Sequence, residues 1–165
     1  MEIVLANNSK EDLQRLSELA KAIWTEHYTE ILGPEQVEYM VRTLQSPAAM
    51  EGQMADEGYQ YYFLRSDGAD VGYTAIKPEE DRLFLSKLYV DRSFRHRGFA
   101  SETIGFLVDA CRKNGWKSIW LTVNRHNAGS IAAYQRLGFV KTREQVSDIG
   151  EGYVMDDYIM EKQIQ

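Results

Sequence analysis

The spacing of apolar residues changes twice along this chain of 165 residues. Up to about residue 56 they recur at helical spacing. From Tyr59 to Val90, in YQYYFLRSDGADVGYTAIKPEEDRLFLSKLYV, aromatic and β-branched residues crowd into runs broken by Asp67-Gly68 and by Pro78-Glu79-Glu80-Asp81. Such runs between turn residues predict three antiparallel strands in a meander. From Gly98 to about Asn114 the helical period returns, with Ala100, Ile104, Leu107, Val108 and Cys111 facing inward, and the short apolar SIWLTV follows. That is a strand, helix, strand crossover. A meander joined to a crossover requires a mixed sheet with helices packed on it, so the expected class is α/β of the α+β kind.

The flanks agree with this frame. After a short apolar EIVLA, Ser9 stands three residues before Asp12 as a capping-box-like start, and Leu13, Leu16, Leu19, Ala20, Ile23 and Trp24 mark one helix face. Gly33 ends that pattern and Pro34 opens a second helix carrying Val37, Met40, Val41 and Leu44, stopped by Pro47. PAAMEGQMADEG is a weak helical piece whose Met50 and Met54 read as core plugs. Near the end, NAGSIAAYQRLGF predicts a short helix closed by Gly138, and FVKTREQV with GYVMDDYIMEKQI predicts a last pair of strands. No repeat or linker interrupts the chain. A single domain over 1–165 is expected, and 44% hydrophobic content suffices for its core.

Charge and cysteine usage narrow the function classes. Nineteen Lys+Arg against 25 Asp+Glu leave a net charge of −6, which disfavours nucleic acid and anionic membranes and suits a cationic partner. Cys111 is the only cysteine, which excludes an internal disulfide and a cysteine-rich metal site and reads as a packing residue. The start MEIVLANNSKEDL has acids and no long apolar core, and no apolar run reaches spanning length, so a cytoplasmic location is expected.

Chemistry concentrates where VDRSFRHRGFASETIGFLVDACRKNGW passes from strand to helix. A helix start exposes unpaired N–H groups at the positive end of its dipole, a ready anion site. Gly98 lets backbone approach a bulky anion, Ala100 keeps the first turn slim, and Arg95 and Arg97 add charge. Neither GxxxxGK[ST] nor a GxGxxG between strand and helix is present, which removes the main support for nucleotide hydrolysis and dinucleotide binding.

The order of two motifs adds a resemblance. V-x4-R-x2-G-x-A (Val90, Arg95, Gly98, Ala100) is followed by a helix, a strand and N-x6-Y-x3-G-F (Asn127, Tyr134, Gly138, Phe139). This resembles the GNAT superfamily of N-acetyltransferases, closely from Val71 to Phe139 and loosely elsewhere. The resemblance implies a central mixed, mostly antiparallel, twisted sheet of six to seven strands, splayed in the middle and flanked by about four helices. It implies acetyl-CoA as cosubstrate and no metal. The pyrophosphate would be cradled by the backbone of Arg95, His96, Arg97, Gly98, Phe99, Ala100 and Ser101. The pantetheine arm would lie along Leu88, Tyr89 and Val90, in a wedge where this strand leaves Ser118 to Val123. The Val90 N–H would support the oxyanion, and Tyr134 would protonate the thiolate. Asn127 would touch the pantetheine amide or simply cap its helix, and Arg136 would reach the 3′-phosphate or stay solvated.

An acceptor alkyl ammonium with a pKa of about 10.4 must lose a proton before it attacks, a cost of roughly 4.6 kcal/mol at pH 7. Many GNAT relatives carry a glutamate on the strand before the pyrophosphate loop, but RLFLSKLYV offers Ser86 and Lys87. Candidates elsewhere are the turn residues Glu79, Glu80 and Asp81, acting through water, and His27, which with Glu26 and Tyr28 ends the first helix where the superfamily often binds its acceptor. The final segments look most like bacterial spermidine and polyamine acetyltransferases, and Asp156, Asp157 and Glu26 would attract such a polycation. A peptide or protein α-amine, a small-molecule amine and an aminoglycoside remain open. So does a non-catalytic acetyl-CoA sensor, suggested by the missing glutamate. Unpaired strand edges make a homodimer plausible.

Overall fold

The computed structural model describes residues 1–165. Strand β1 is Glu2–Leu5, and helices α1 (Lys10–Leu32), α2 (Pro34–Leu44) and α3 (Pro47–Asp56) follow. Ser9 caps α1 by accepting from the Asp12 N–H at 3.2 Å, while the Asp12 carboxylate reaches past the cap residue and accepts from the Asn7 N–H at 2.7 Å, so two N–H groups are satisfied without a reciprocal box. Gly33, at φ +86°, ends α1 and precedes the Pro34 that begins α2. Pro47 both bars continuation of α2 and begins α3, capped by Ser46. The weak methionine-bearing stretch is therefore a full helix, and the chain has five α-helices where about four were expected.

Strands β2 (Gln60–Ser66), β3 (Ala69–Pro78) and β4 (Leu83–Val90) form the expected meander. Asp67 and Gly68 both take positive φ, 51° and 80°, which matches the right-handed twist of a two-residue hairpin. A 3₁₀ turn at Arg92–Phe94 leads into α4 (Phe99–Asn114), then β5 (Ser118–Asn124) and α5 (Ala128–Arg136). Strands β6 (Val140–Gly150) and β7 (Tyr153–Gln163) close the chain. A second positive-φ pair, Glu151-Gly152, makes their turn, which carries β6 four residues past Val146, the end expected for it. Hydrogen bonding orders the strands β1-β2-β3-β4-β5-β7-β6.

Two compact units make up the fold: Met1–Lys77 with Lys87–Thr103, and Pro78–Ser86 with Ile104–Gln165. In the first, α1 buries Leu13, Leu16, Ala20, Ile23, Trp24 and Tyr28, one helical stripe. Its interior also holds a satisfied polar network, in which Tyr73 Oη donates to Gln45 Oε1 at 2.7 Å and Gln45 Nε2 donates to Tyr61 Oη at 3.2 Å. The second centres on β5, paired in parallel with β4 from Leu83 to Leu85 and antiparallel with β7 along its whole length. From Lys87 onward β4 is held by β3, where Thr74 Oγ1 donates to the Lys87 carbonyl at 2.7 Å and Asp91 N–H to the Val71 carbonyl at 2.7 Å.

Candidate active site

In the first unit the strand end, the turn and the helix start are fastened to one another. Leu88 and Val90 pack with Phe94 against a buried cluster of Leu64, Val71 and Phe99. Asp91 caps the 3₁₀ turn through the Ser93 N–H at 2.9 Å. His96 (φ +64°) and Gly98 (φ +82°) both adopt left-handed backbone. Nothing lies within 4 Å of where a Gly98 side chain would start. That open flank sits directly before the 16-residue α4, whose first N–H groups carry the positive end of the dipole. Ser101 is exposed and Ala100 half-buried, so the first turn is slim on the open side.

The side chain of Arg95 turns inward rather than toward this flank. Its Nε donates to the Val90 carbonyl at 3.0 Å and its Nη2 to Glu26 Oε2 at 2.7 Å, which ties the end of α1 to the end of β4. Arg97 lies over the Phe94 ring at 5.2 Å. On the opposite face of β4, the Tyr89 hydroxyl is hydrogen-bonded to that of Tyr28 at 2.9 Å. Tyr89 stands 5.6 Å from Trp24 and 5.7 Å from Tyr73 between ring centroids, and 6.5 Å from His27. Glu26, His27 and Tyr28 are thus brought to the strand end that carries Tyr89 and Val90. Burial holds the His27 imidazole below its ordinary range, helped by Arg95 and opposed by Glu26, so it is neutral at pH 7. Burial also pushes the Lys87 ammonium down to about 8, and its Nζ lies 5.9 Å from the Tyr59 ring centre.

The close approach of β3 and β4 rests on a residue without a sequence motif. A Cβ at Gly72 would sit 2.3 Å from the Tyr89 carbonyl oxygen. An isolated glycine inside a strand pattern is the signal that such an approach leaves.

Asn127, Tyr134, Arg136 and Asp157 belong to the second unit. Asn127 is buried and caps α5 through the Ser130 N–H at 3.4 Å, while its own N–H donates to the Asn124 carbonyl at 2.9 Å. Tyr134 is half-buried, edge-to-face with Phe139 at 5.4 Å. Arg136 is exposed in the last turn of α5. Asp156 is paired with Arg125 Nε at 2.8 Å, whereas Asp157 is only 5% exposed and its Oδ1 has no hydrogen-bond partner. Burial, with Asp156 adding to it, pushes the Asp157 carboxyl up to about 6. Glu79 is structural: its Oε1 accepts from Trp120 Nε1 at 2.7 Å and from Arg82 Nε at 3.0 Å.

The model of the acetyltransferase (GNAT) family matches residues 13–139. The chain belongs to the GNAT family. It is therefore an enzyme, an acetyl-CoA-dependent acetyltransferase. It is 22% identical over 162 residues to an uncharacterised N-acetyltransferase in the pepI 3′ region of Lactobacillus delbrueckii subsp. lactis, covering 93% of both chains. It is 29% identical over 83 residues to the ribosomal protein bS18-alanine N-acetyltransferase of Escherichia coli K12, covering 50% of this chain and 56% of that one. The PaiA N-acetyltransferase of Thermoplasma acidophilum, solved with coenzyme A, shares the fold at a TM-score of 0.78 and 23% identity, covering 99% of each chain.

Among the positions where the GNAT resemblance expects the pyrophosphate, Gly98 at the start of α4 has an open flank. Of the three carboxylates expected to attract a polycation, Glu26 is paired with Arg95 and Asp156 with Arg125, while Asp157 Oδ1 has no hydrogen-bond partner. No group of His, Cys, Asp and Glu is arranged to hold a metal, and no helix of this GNAT chain is long and apolar enough to cross a membrane.

Proposed function

We propose that the chain transfers the acetyl group of acetyl-CoA to the N-terminal α-amine of a peptide or protein, by direct attack in a ternary complex and as one catalytic domain. The coenzyme's pyrophosphate rests on the N–H groups at the start of α4, beside Gly98, and its pantetheine arm on the backbone of Leu88 to Val90. The observation that carries this half is the unobstructed left-handed glycine directly before a long helix. Val90 N–H steadies the oxyanion and Tyr134 protonates the departing thiolate, roles that rest on their places in the family motifs. Asn127 caps α5 through Oδ1, and the pantetheine amide meets it at the start of that helix, a role that rests on its place in the family motif. Arg136 is accessible for the 3′-phosphate.

The acceptor follows from charge and basicity. Two of the three carboxylates expected to draw a polycation are engaged with arginines. An α-amine with a pKa near 8 needs only about 1.4 kcal/mol to deprotonate at pH 7, against roughly 4.6 kcal/mol for an alkyl ammonium. A chain without a β4 carboxylate suits the easier amine. The bS18-alanine N-acetyltransferase relatives point the same way.

Thiol release from acetyl-CoA, measured with an alanine-initiated hexapeptide, with spermidine and with an α-blocked lysine amide, decides the matter. The hexapeptide is expected to react fastest, with a rate that changes little between low and moderate salt. Faster release with spermidine, falling steeply as salt rises, would replace this reading with the polyamine one that the tail segments suggest. A cytoplasmic site of action agrees with either acceptor.

A further inference from the structure

Three buried polar side chains gather at the carboxyl end of β5. Asn124 and Asp157 are register partners on β5 and β7, each 5% exposed, and Asn127, equally buried, donates its N–H to the Asn124 carbonyl. Asn124 Oδ1 accepts from the His126 N–H at 2.9 Å and Asn127 Oδ1 from the Ser130 N–H, so both amides are held by the turn that opens α5. Asp157 differs from them, because its Oδ1 is buried without any hydrogen-bond partner. Leaving a carboxylate oxygen buried and unmatched is costly, and a fold can avoid it with an asparagine of the same shape. Retention of an acid there calls for a ligand that supplies the missing donor. The ends of strands that feed helices are also where sheets with parallel pairs hold ligands.

We propose that Asp157 is a catalytic residue that binds the acceptor's ammonium through Oδ1 and takes its first proton. This rests on the reading of the chain as an amine acetyltransferase. The step balances: R–NH₃⁺ passes H⁺ to the Asp157 carboxylate, and the freed lone pair attacks the thioester carbonyl carbon. The C–S bond breaks as the N–C bond forms, and the second amine proton is lost to the thiolate side, giving the amide and the free thiol. Asp157 then releases its proton to solvent. A carboxyl pushed up to about 6 is ionised at pH 7 and a stronger base than an ordinary aspartate. The charged groups around it favour a single ammonium. Asp156 on its own strand is paired with Arg125, which also reaches Glu144 on β6 at 3.2 Å. The residues in register with Asp157, Asn124 on β5 and Gln145 on β6, are neutral.

Wild type, Asp157→Asn and Asp157→Glu are compared in the thiol-release assay from pH 5.5 to 9, together with calorimetry of acetyl-CoA and of the alanine-initiated hexapeptide. The proposal expects Asp157→Asn to lower kcat/KM at pH 7 at least 30-fold and to move the acidic limb of the profile from about 6, set by the carboxyl, up to about 8, set by the amine itself. Asp157→Glu should restore part of the rate, and coenzyme affinity should stay within twofold. A variant Asn enzyme within threefold of wild type, with the same pH profile, overturns the proposal and leaves the transferase reading intact. If wild type acetylates no amine, that reading fails. Asp157 is then judged on hexapeptide binding alone: loss in the Asn variant upholds the ammonium site, and equal or absent binding in both overturns it.

Discussion

Gly72→Ala tests the geometry that places the end of β4. A Cβ at this position would lie 2.3 Å from the Tyr89 carbonyl oxygen and 3.1 Å from the Val90 Cα. A close C···O contact is about 3.3 Å, so β4 has to retreat by about 1 Å. The obstacle is backbone, and no rotamer change relieves it. Retreat stretches the 2.7 Å bond from Asp91 N–H to the Val71 carbonyl and loosens Leu88 and Val90 from Phe99. Overpacking costs about 1–3 kcal/mol, and a rigid obstacle belongs near the upper end, about 3 kcal/mol. That loss opposes the usual direction, since Gly→Ala at a compatible site stabilises by about 0.4–1 kcal/mol through the unfolded chain. Urea unfolding should show a lower midpoint at unchanged slope, with Tm down by roughly 6–12 °C. Calorimetry should show acetyl-CoA binding at least tenfold weaker, since the coenzyme path proposed above runs along Leu88 to Val90. Wild-type stability together with wild-type coenzyme affinity would refute the steric argument and the coenzyme path at once.

Other substitutions probe separate parts. Tyr134→Phe should cut turnover tenfold or more while sparing acetyl-CoA affinity; undiminished turnover with the best acceptor removes Tyr134 as the acid. Gly98→Val puts a β-branched residue at φ +82° and fills the open flank, so coenzyme affinity in calorimetry should fall at least tenfold. Cys111 is fully buried and its thiol is pushed up to about 11, so iodoacetamide labelling at pH 7.5 should track urea unfolding and be absent from the native protein. Asp157 has a folded pKa raised above its unfolded value, so the native state is favoured while the group is protonated. Stability should therefore fall by about 2 kcal/mol, after allowing for screening, as pH rises from about 4 through about 6, and stay flat in Asp157→Asn. Parallel melting curves of the two proteins over that window check it.

The elements whose causes are local were legible in the sequence. Ser9 and Asp12 announce α1, the Gly33-Pro34 pair separates two helices, Asp67-Gly68 makes a hairpin, and Gly98 stands at positive φ directly before α4. Each signal and its structure lie within a few residues of one another. Where the reading fell short, composition understated the structure. The stretch PAAMEGQMADEG read as a weak helical piece, yet Ser46 and Pro47 fix the start of a full helix there. The segment read as a strand ended at Val146, but the Glu151-Gly152 turn lets the pairing with β7 run on to Gly150.

What stayed hidden in the candidate site depends on pairs far apart in the chain. Glu26 and Arg95 are 69 residues apart, and Arg125 and Asp156 are 31 apart. A net charge of −6 counts all of these residues alike and suggested a polycation. Pairing withdraws a charge from recognition, because an ion already matched at 2.7–2.8 Å offers an incoming ammonium little that its arginine does not already take. Asp157 escapes this cancellation: β7 turns it into the interior, opposite Asn124, where no cation of the chain accompanies it. One unmatched carboxylate suits one ammonium better than a spaced array of them, and on the proposed reading that is the physical reason the three acids favour a singly charged α-amine over a polyamine.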